Sequence, residues 1–311
     1  VMPIAMLAWD FSAFSLLFLP SVKSDIKPLA SDPKKELLGF LAMILGVLAG
    51  VFFVRFMFNL AGINLQDANK WVQLAYVMTS LAVALPLGLK AAQMAGFATL
   101  NQSLASYFSQ QGAWAFLILI ILYKLGDAFA GSLFTPFLLK GMAFSQIEVG
   151  IVNKIIGIWL TIIGAFLAGL LMIRLTLFQA LMSFGILQLL SNFGFYALAV
   201  LGKGAWGSFM LMPFDLGFVS VLEPTQIDNL LMSAIALENI TSGMGTAAFV
   251  ALLMSLCNNQ FSATHYALLS ALAAVGRIYV SPVAGVLSES LGWPNFFLFS
   301  VLMAVPGIVM L

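Results

Sequence analysis

Nine stretches of this chain are apolar over close to the length needed to cross a bilayer as a helix, and nothing else in the sequence restricts the fold as strongly. The hydrocarbon layer is about 30 Å thick, and a helix rises 1.5 Å per residue, so roughly twenty apolar residues span it. The stretches fall approximately at 1–20, 39–60, 72–95, 113–136, 147–172, 175–200, 228–257, 262–287 and 293–311. Of the 311 residues, 62% are hydrophobic and 8% are charged. Soluble chains carry roughly 25% charged residues, and a water-soluble fold has no way to hide this much apolar surface. Barrel strands would read as about ten alternating residues instead. The expected fold class is therefore all-α, a polytopic helical membrane protein.

Composition removes several classes of function. Thirteen basic against twelve acidic residues give a formal charge of +1, which excludes a strongly basic nucleic-acid binder. A single cysteine, Cys257, forms no intrachain disulfide, and with a single histidine, His265, it gives no structural zinc site. No H-E-x-x-H, G-x-S-x-G or Walker A motif is present, so the sequence gives no support for an enzyme or for a cofactor. Any pumping would draw on an ion gradient. The chain opens on Val1 inside an apolar stretch and closes inside another, so it reads as a fragment.

The most basic loop, 21–38, carries Lys23, Lys27, Lys34 and Lys35, and is placed in the cytoplasm. Alternation then puts 62–71, 137–146, 201–226 and 288–291 outside. Two pieces are not spans. Residues 98–112 are polar and weakly amphipathic, as expected of a helix lying along the membrane surface. Residues 206–222 are apolar but short and interrupted by Pro213 and Asp215, which reads as an interfacial or re-entrant segment. Ser145-Gln-Ile-Glu148 has the spacing of a capping box and marks a helix start.

Charge inside a span is costly, so it faces a cavity or a partner. Five such residues stand out: Lys124, Asp127, Lys154, Glu238 and Arg277. Counting rise per residue puts them roughly 11 to 18 Å deep, in one layer near the midplane. Matched depth on neighbouring antiparallel helices pairs Asp127 with Lys154 and Glu238 with Arg277. Lys124 and Asp127 also share a helix face. The layer's net charge of +3 − 2 = +1 suits an anionic solute. Asn153 and Asn239 adjoin it, and Thr241, Ser242 and Thr246 follow with Gly243 and Gly245 between them. The competing reading is a set of buried ion pairs that only fix packing. Spans 175–200 and 293–311 carry no charge, as expected of helices facing lipid.

The second two-thirds of the chain also resembles a known family. Tyr123-Lys-Leu-Gly-Asp-Ala-Phe-Ala130 resembles the seventh helix of AmpG-type muropeptide permeases, in the major facilitator superfamily. Gly150-Ile-Val-Asn-Lys154, Arg174-Leu-Thr-Leu-Phe178 and Phe184-Gly-Ile-Leu-Gln188 continue the likeness. So do the run from Gly243 to Cys257, Val275-Gly-Arg-Ile-Tyr279, Pro282-Val-Ala-Gly285 and Gly292-Trp-Pro294. The resemblance covers about 113–311. It implies a C-terminal six-helix transporter half there and two extra helices within 21–112. Span 1–20 would then be the last helix of a missing N-terminal half.

The resemblance further implies a proton-driven transporter in the bacterial inner membrane. It would act as a monomer and import anhydro-muropeptides, anionic sugar–peptide fragments of the cell wall. Its place would be in peptidoglycan recycling and the linked induction of β-lactamase. On that expectation Lys124, Lys154 and Arg277 meet substrate carboxylates or hold ion pairs. Asp127 and Glu238 are candidates for protonation, and Asn153 and Asn239 complete the pathway. A carrier of another anionic solute, a non-transporting scaffold or sensor, and a membrane enzyme are the competing readings.

Overall fold

The computed structural model describes residues 32–215, 220–257 and 262–311, and the expected first span with Lys23 and Lys27 lies outside the described residues. Helices α1 (Pro33–Leu60) and α2 (Lys70–Met94) are followed by a short helix α3 (Ala98–Phe108). The helical rods α4 (Ala113–Gly141), α5 (Gln146–Met172), α6 (Leu177–Leu201) and α7 (Asn229–Ser255) come next. Last are α8 (Ser262–Leu291) and α9 (Trp293–Val309). Among the described residues seven helices are long and apolar enough to cross a membrane, and α9 is a shorter apolar helix. The protein is a polytopic helical membrane protein.

The ends of these helices follow local chemistry more closely than average polarity. The span expected from residue 39 begins at Pro33, because Asp32 accepts a hydrogen bond from the Lys34 amide and Pro33 fixes the first turn. Lys34, Lys35 and Glu36 are therefore helical. At the start of α5 the Ser145 hydroxyl accepts from the Glu148 amide, as the motif predicts. The reciprocal half of the box does not form. The Glu148 carboxylate accepts instead from the Asp228 amide at 2.9 Å, and Lys203 lies 3.4 Å away. A complete capping box occurs at Thr176 and Gln179, opening α6.

The described parts of the 206–222 segment form short strands. Strand β1 (Ser208–Leu211) pairs antiparallel with β4 (Thr225–Asp228), and between them β2 (Phe214–Asp215) pairs with β3 (Ser220–Val221). Pairing with residues well along the chain satisfies the backbone that Pro213 takes out of a helix. Asp228 then caps α7 through the Leu231 amide and accepts from the Gly204 amide, which pins both ends of this loop.

Lipid gives helices no hydrophobic reason to associate, so close packing of small residues holds them. In the α1–α2 pair a Cβ on Gly50 would lie 2.6 Å from the Ala84 Cα, an approach only glycine allows. The large apolar side chains left exposed, such as Phe52, Phe166 and Leu190, are what a helix in hydrocarbon presents. Two buried clusters form inside. One gathers Phe129, Phe137, Phe195, Leu231, Phe296 and Phe297. The other gathers Tyr107, Tyr123, Phe184, Phe249 and Leu253. Tyr123 belongs to one and Ala128 to the other, so Lys124 and Asp127 fall where α4 passes between two apolar cores.

A polar cavity at a broken helix

The rod α4 is not continuous. Its helix stops after Tyr123 and restarts at Leu125, with Lys124 between at φ −97° and ψ 1°. An interrupted membrane helix frees backbone groups, and such breaks are tolerated where they line a cavity. Here one does. A cavity of about 610 Å³ is bounded by Lys124 and Asp127 from α4, Glu238, Ser242 and Thr246 from α7, and Arg277 from α8. Four of the five intramembrane charges expected to converge therefore share one space.

Their pairing differs from expectation. Lys124 Nζ lies 3.2 Å from Asp127 Oδ2 on the same helix and 3.5 Å from Thr246 Oγ1. The same ammonium stands 5.5 Å from the centre of the Phe249 ring. Asp127 does not pair with Lys154, and Glu238 does not pair with Arg277. Instead Glu238 Oε2 accepts from Ser191 Oγ at 2.6 Å, and Thr241 Oγ1 lies 3.0 Å behind that hydroxyl. Arg277 is exposed to the cavity, and among the described residues it forms no ion pair.

Lys154 does not face the cavity. It is exposed, lies outside the cavity, and sits with half-buried Asn153 in a widened turn, Gly150–Ile156. Asn239 also turns away. Its amide donates to the Ile235 carbonyl at 2.8 Å and its oxygen accepts from Thr161 at 2.9 Å, on the seam between α7 and α5. Without Lys154 the cavity holds two cations and two carboxylates, so the +1 expected for the layer becomes +2 − 2 = 0 when all four are ionised.

Charge counting missed α6. It presents Leu190 and Phe193 outward, yet 39% of its apolar stretch is buried against 17% for α5, which carries Lys154. Its buried face includes Gln188, Ser191 and Asn192. Their spacing of three and four residues puts them on one side of a helix, and that pattern was readable without any charge.

No family model matches the chain. Among curated proteins it is 50% identical over 208 residues to the anhydromuropeptide permease of Escherichia coli strain K12. That match takes in 67% of this chain and 38% of the permease. It is 32% identical over 205 residues to putative transporter AmpG 4 of Rickettsia conorii, covering 66% of this chain and 44% of that protein. The chain belongs to the AmpG-type permease family. It spans less than half the length of these two relatives. An uncharacterized protein of Haemophilus influenzae is 29% identical over 275 residues, which is 88% of this chain and 55% of that one.

Proposed function

We propose that this chain forms the solute-handling part of a proton-driven secondary transporter in the bacterial inner membrane. Its cargo would be anhydro-muropeptides, carried from periplasm to cytoplasm for peptidoglycan recycling, where they also serve as the signal for β-lactamase induction. The observation that carries this reading is the cavity with Arg277 unpaired on one wall and Lys124, Asp127 and Glu238 on the others. A guanidinium with no ion-pair partner among the described residues is suited to a carboxylate at two points of contact. The hydroxyls of Ser242 and Thr246 line the same space and are suited to a sugar.

The charge balance supplies a coupling logic. With Asp127 held by Lys124, a proton added to Glu238 takes the cavity from 0 to +2 − 1 = +1. Proton and anionic solute then favour each other's binding, as linked ligands must. Domain organisation follows the same reading. Residues 113–311 would be the six-helix half, with the two extra helices α1 and α2 and a polar linker before it.

The test is uptake of a labelled anhydro-disaccharide peptide by the full-length protein in cells lacking their own permease. Arg277→Ala and Glu238→Gln are expected to abolish uptake with normal protein in the membrane, while Lys154→Ala retains it. Normal uptake by the first two variants would remove the site. Competition by dicarboxylates or siderophores, but not by muropeptides, would reassign the cargo.

A further inference from the structure

A second, much smaller cavity lies behind Asp127, away from the main one. It measures about 10 Å³, room for the centre of one water-sized sphere, and is lined by Tyr123, Asp127, Gly185, Gln188, Ala304 and Ile308 among others. Asp127 thus borders both cavities. Gln188 is 4% exposed, and its side-chain nitrogen is buried with no hydrogen-bond partner in the protein. A buried donor left without an acceptor is uncommon, and ordered water is the usual partner where protein supplies none.

We infer that one water molecule occupies this cavity, accepting from Gln188 Nε2 and donating to the Asp127 carboxylate, and that Gln188 is thereby a positioning residue for Asp127. The Tyr123 hydroxyl, which donates to the Leu181 carbonyl at 3.1 Å, keeps a lone pair for the water's second proton. Two glycines keep the space open. A Cβ on Gly185 would lie 3.2 Å from Tyr123 Cε2 and 3.3 Å from its oxygen. A Cβ on Gly245 would collide with Gln188 Oε1. Asp127 is then held from the main cavity by Lys124 and from behind by water. It keeps a hydrogen-bond partner on its far side when solute fills the space in front. The consequence for transport rests on the function proposed above, whereas the water site does not.

Two measurements on the full-length protein test this. A density map fine enough to show ordered water should place a peak within hydrogen-bond distance of both Gln188 Nε2 and Asp127. An empty cavity in that map would overturn the site. In uptake assays Gln188→Leu, at normal membrane level, should displace the pH profile of uptake from that of the parent. Gln188→Asn, which keeps the amide, should retain the parent profile. An unchanged profile in Gln188→Leu would overturn the positioning role. A water peak in a protein that carries no muropeptide would uphold the site and sink the transport reading alone.

Discussion

Ser191 donates a 2.6 Å hydrogen bond to Glu238 across the seam between α6 and α7. It ties a helix without a single charged residue to one of the two carboxylates in the cavity wall. Ser191→Ala leaves that carboxylate with one fewer donor at a half-buried position. The expected cost is about 1–3 kcal/mol in the thermal or denaturant stability of the purified full-length protein. In a double-mutant cycle with Glu238→Leu the two losses should not add, since both remove the same interaction. Additive losses would mean that the bond contributes nothing measurable.

This bond also marks the boundary of what was legible in the sequence. Position along a helix is a count along the chain, so the meeting of Lys124, Asp127, Glu238 and Arg277 at one cavity could be read from residue numbers. Which way each side chain points around its helix is a matter of packing. That is why Lys154 faces away from the cavity, and why Asn239 serves the α5–α7 seam. The eight described spans were recoverable because an apolar run of that length has few other uses. The β1–β4 pairing was not, because Ser208–Leu211 and Thr225–Asp228 are short, apolar in part and joined only by tertiary contact.

The α5–α7 seam depends on backbone touching backbone. A Cβ on Gly164 would meet the Ile240 carbonyl oxygen, and one on Gly243 would meet the Thr161 carbonyl oxygen. Neither neighbour is a flexible side-chain end that could move aside. Gly164→Ala and Gly243→Ala should each destabilise the protein by about 1–3 kcal/mol, seen as a lower melting temperature in detergent. Gly169, on the same helix as Gly164, has nothing within 4 Å of the corresponding point. Gly169→Ala should leave stability unchanged.

Beside the strand pair, the Glu148 carboxylate joins α5 to the start of α7 through the Asp228 amide and to Lys203. The amide is buried, so Glu148→Ala strands a donor and releases Lys203. Faster amide hydrogen exchange is expected in Thr225–Asp228, with protection in α7 retained. Unchanged exchange in that strand would show that its pairing with Ser208–Leu211 suffices.

The central claim is that Lys124, Asp127, Glu238 and Arg277 enclose one water-filled space that receives solute. A cysteine at position 246 tests it, because the Thr246 hydroxyl faces Lys124 in that space. The native Cys257 is first changed to Ser. Burial pushes its thiol up, so it holds less of the reactive thiolate at neutral pH and would add labelling only as pH rises. The measurement is the rate at which a charged, water-soluble thiol reagent modifies Thr246→Cys in the full-length protein, with and without anhydro-muropeptide. Ready modification that falls several-fold when the solute is present is the predicted result. Modification no faster than at Leu190→Cys, on the exposed apolar face of α6, or a rate that muropeptide leaves unchanged, would contradict it.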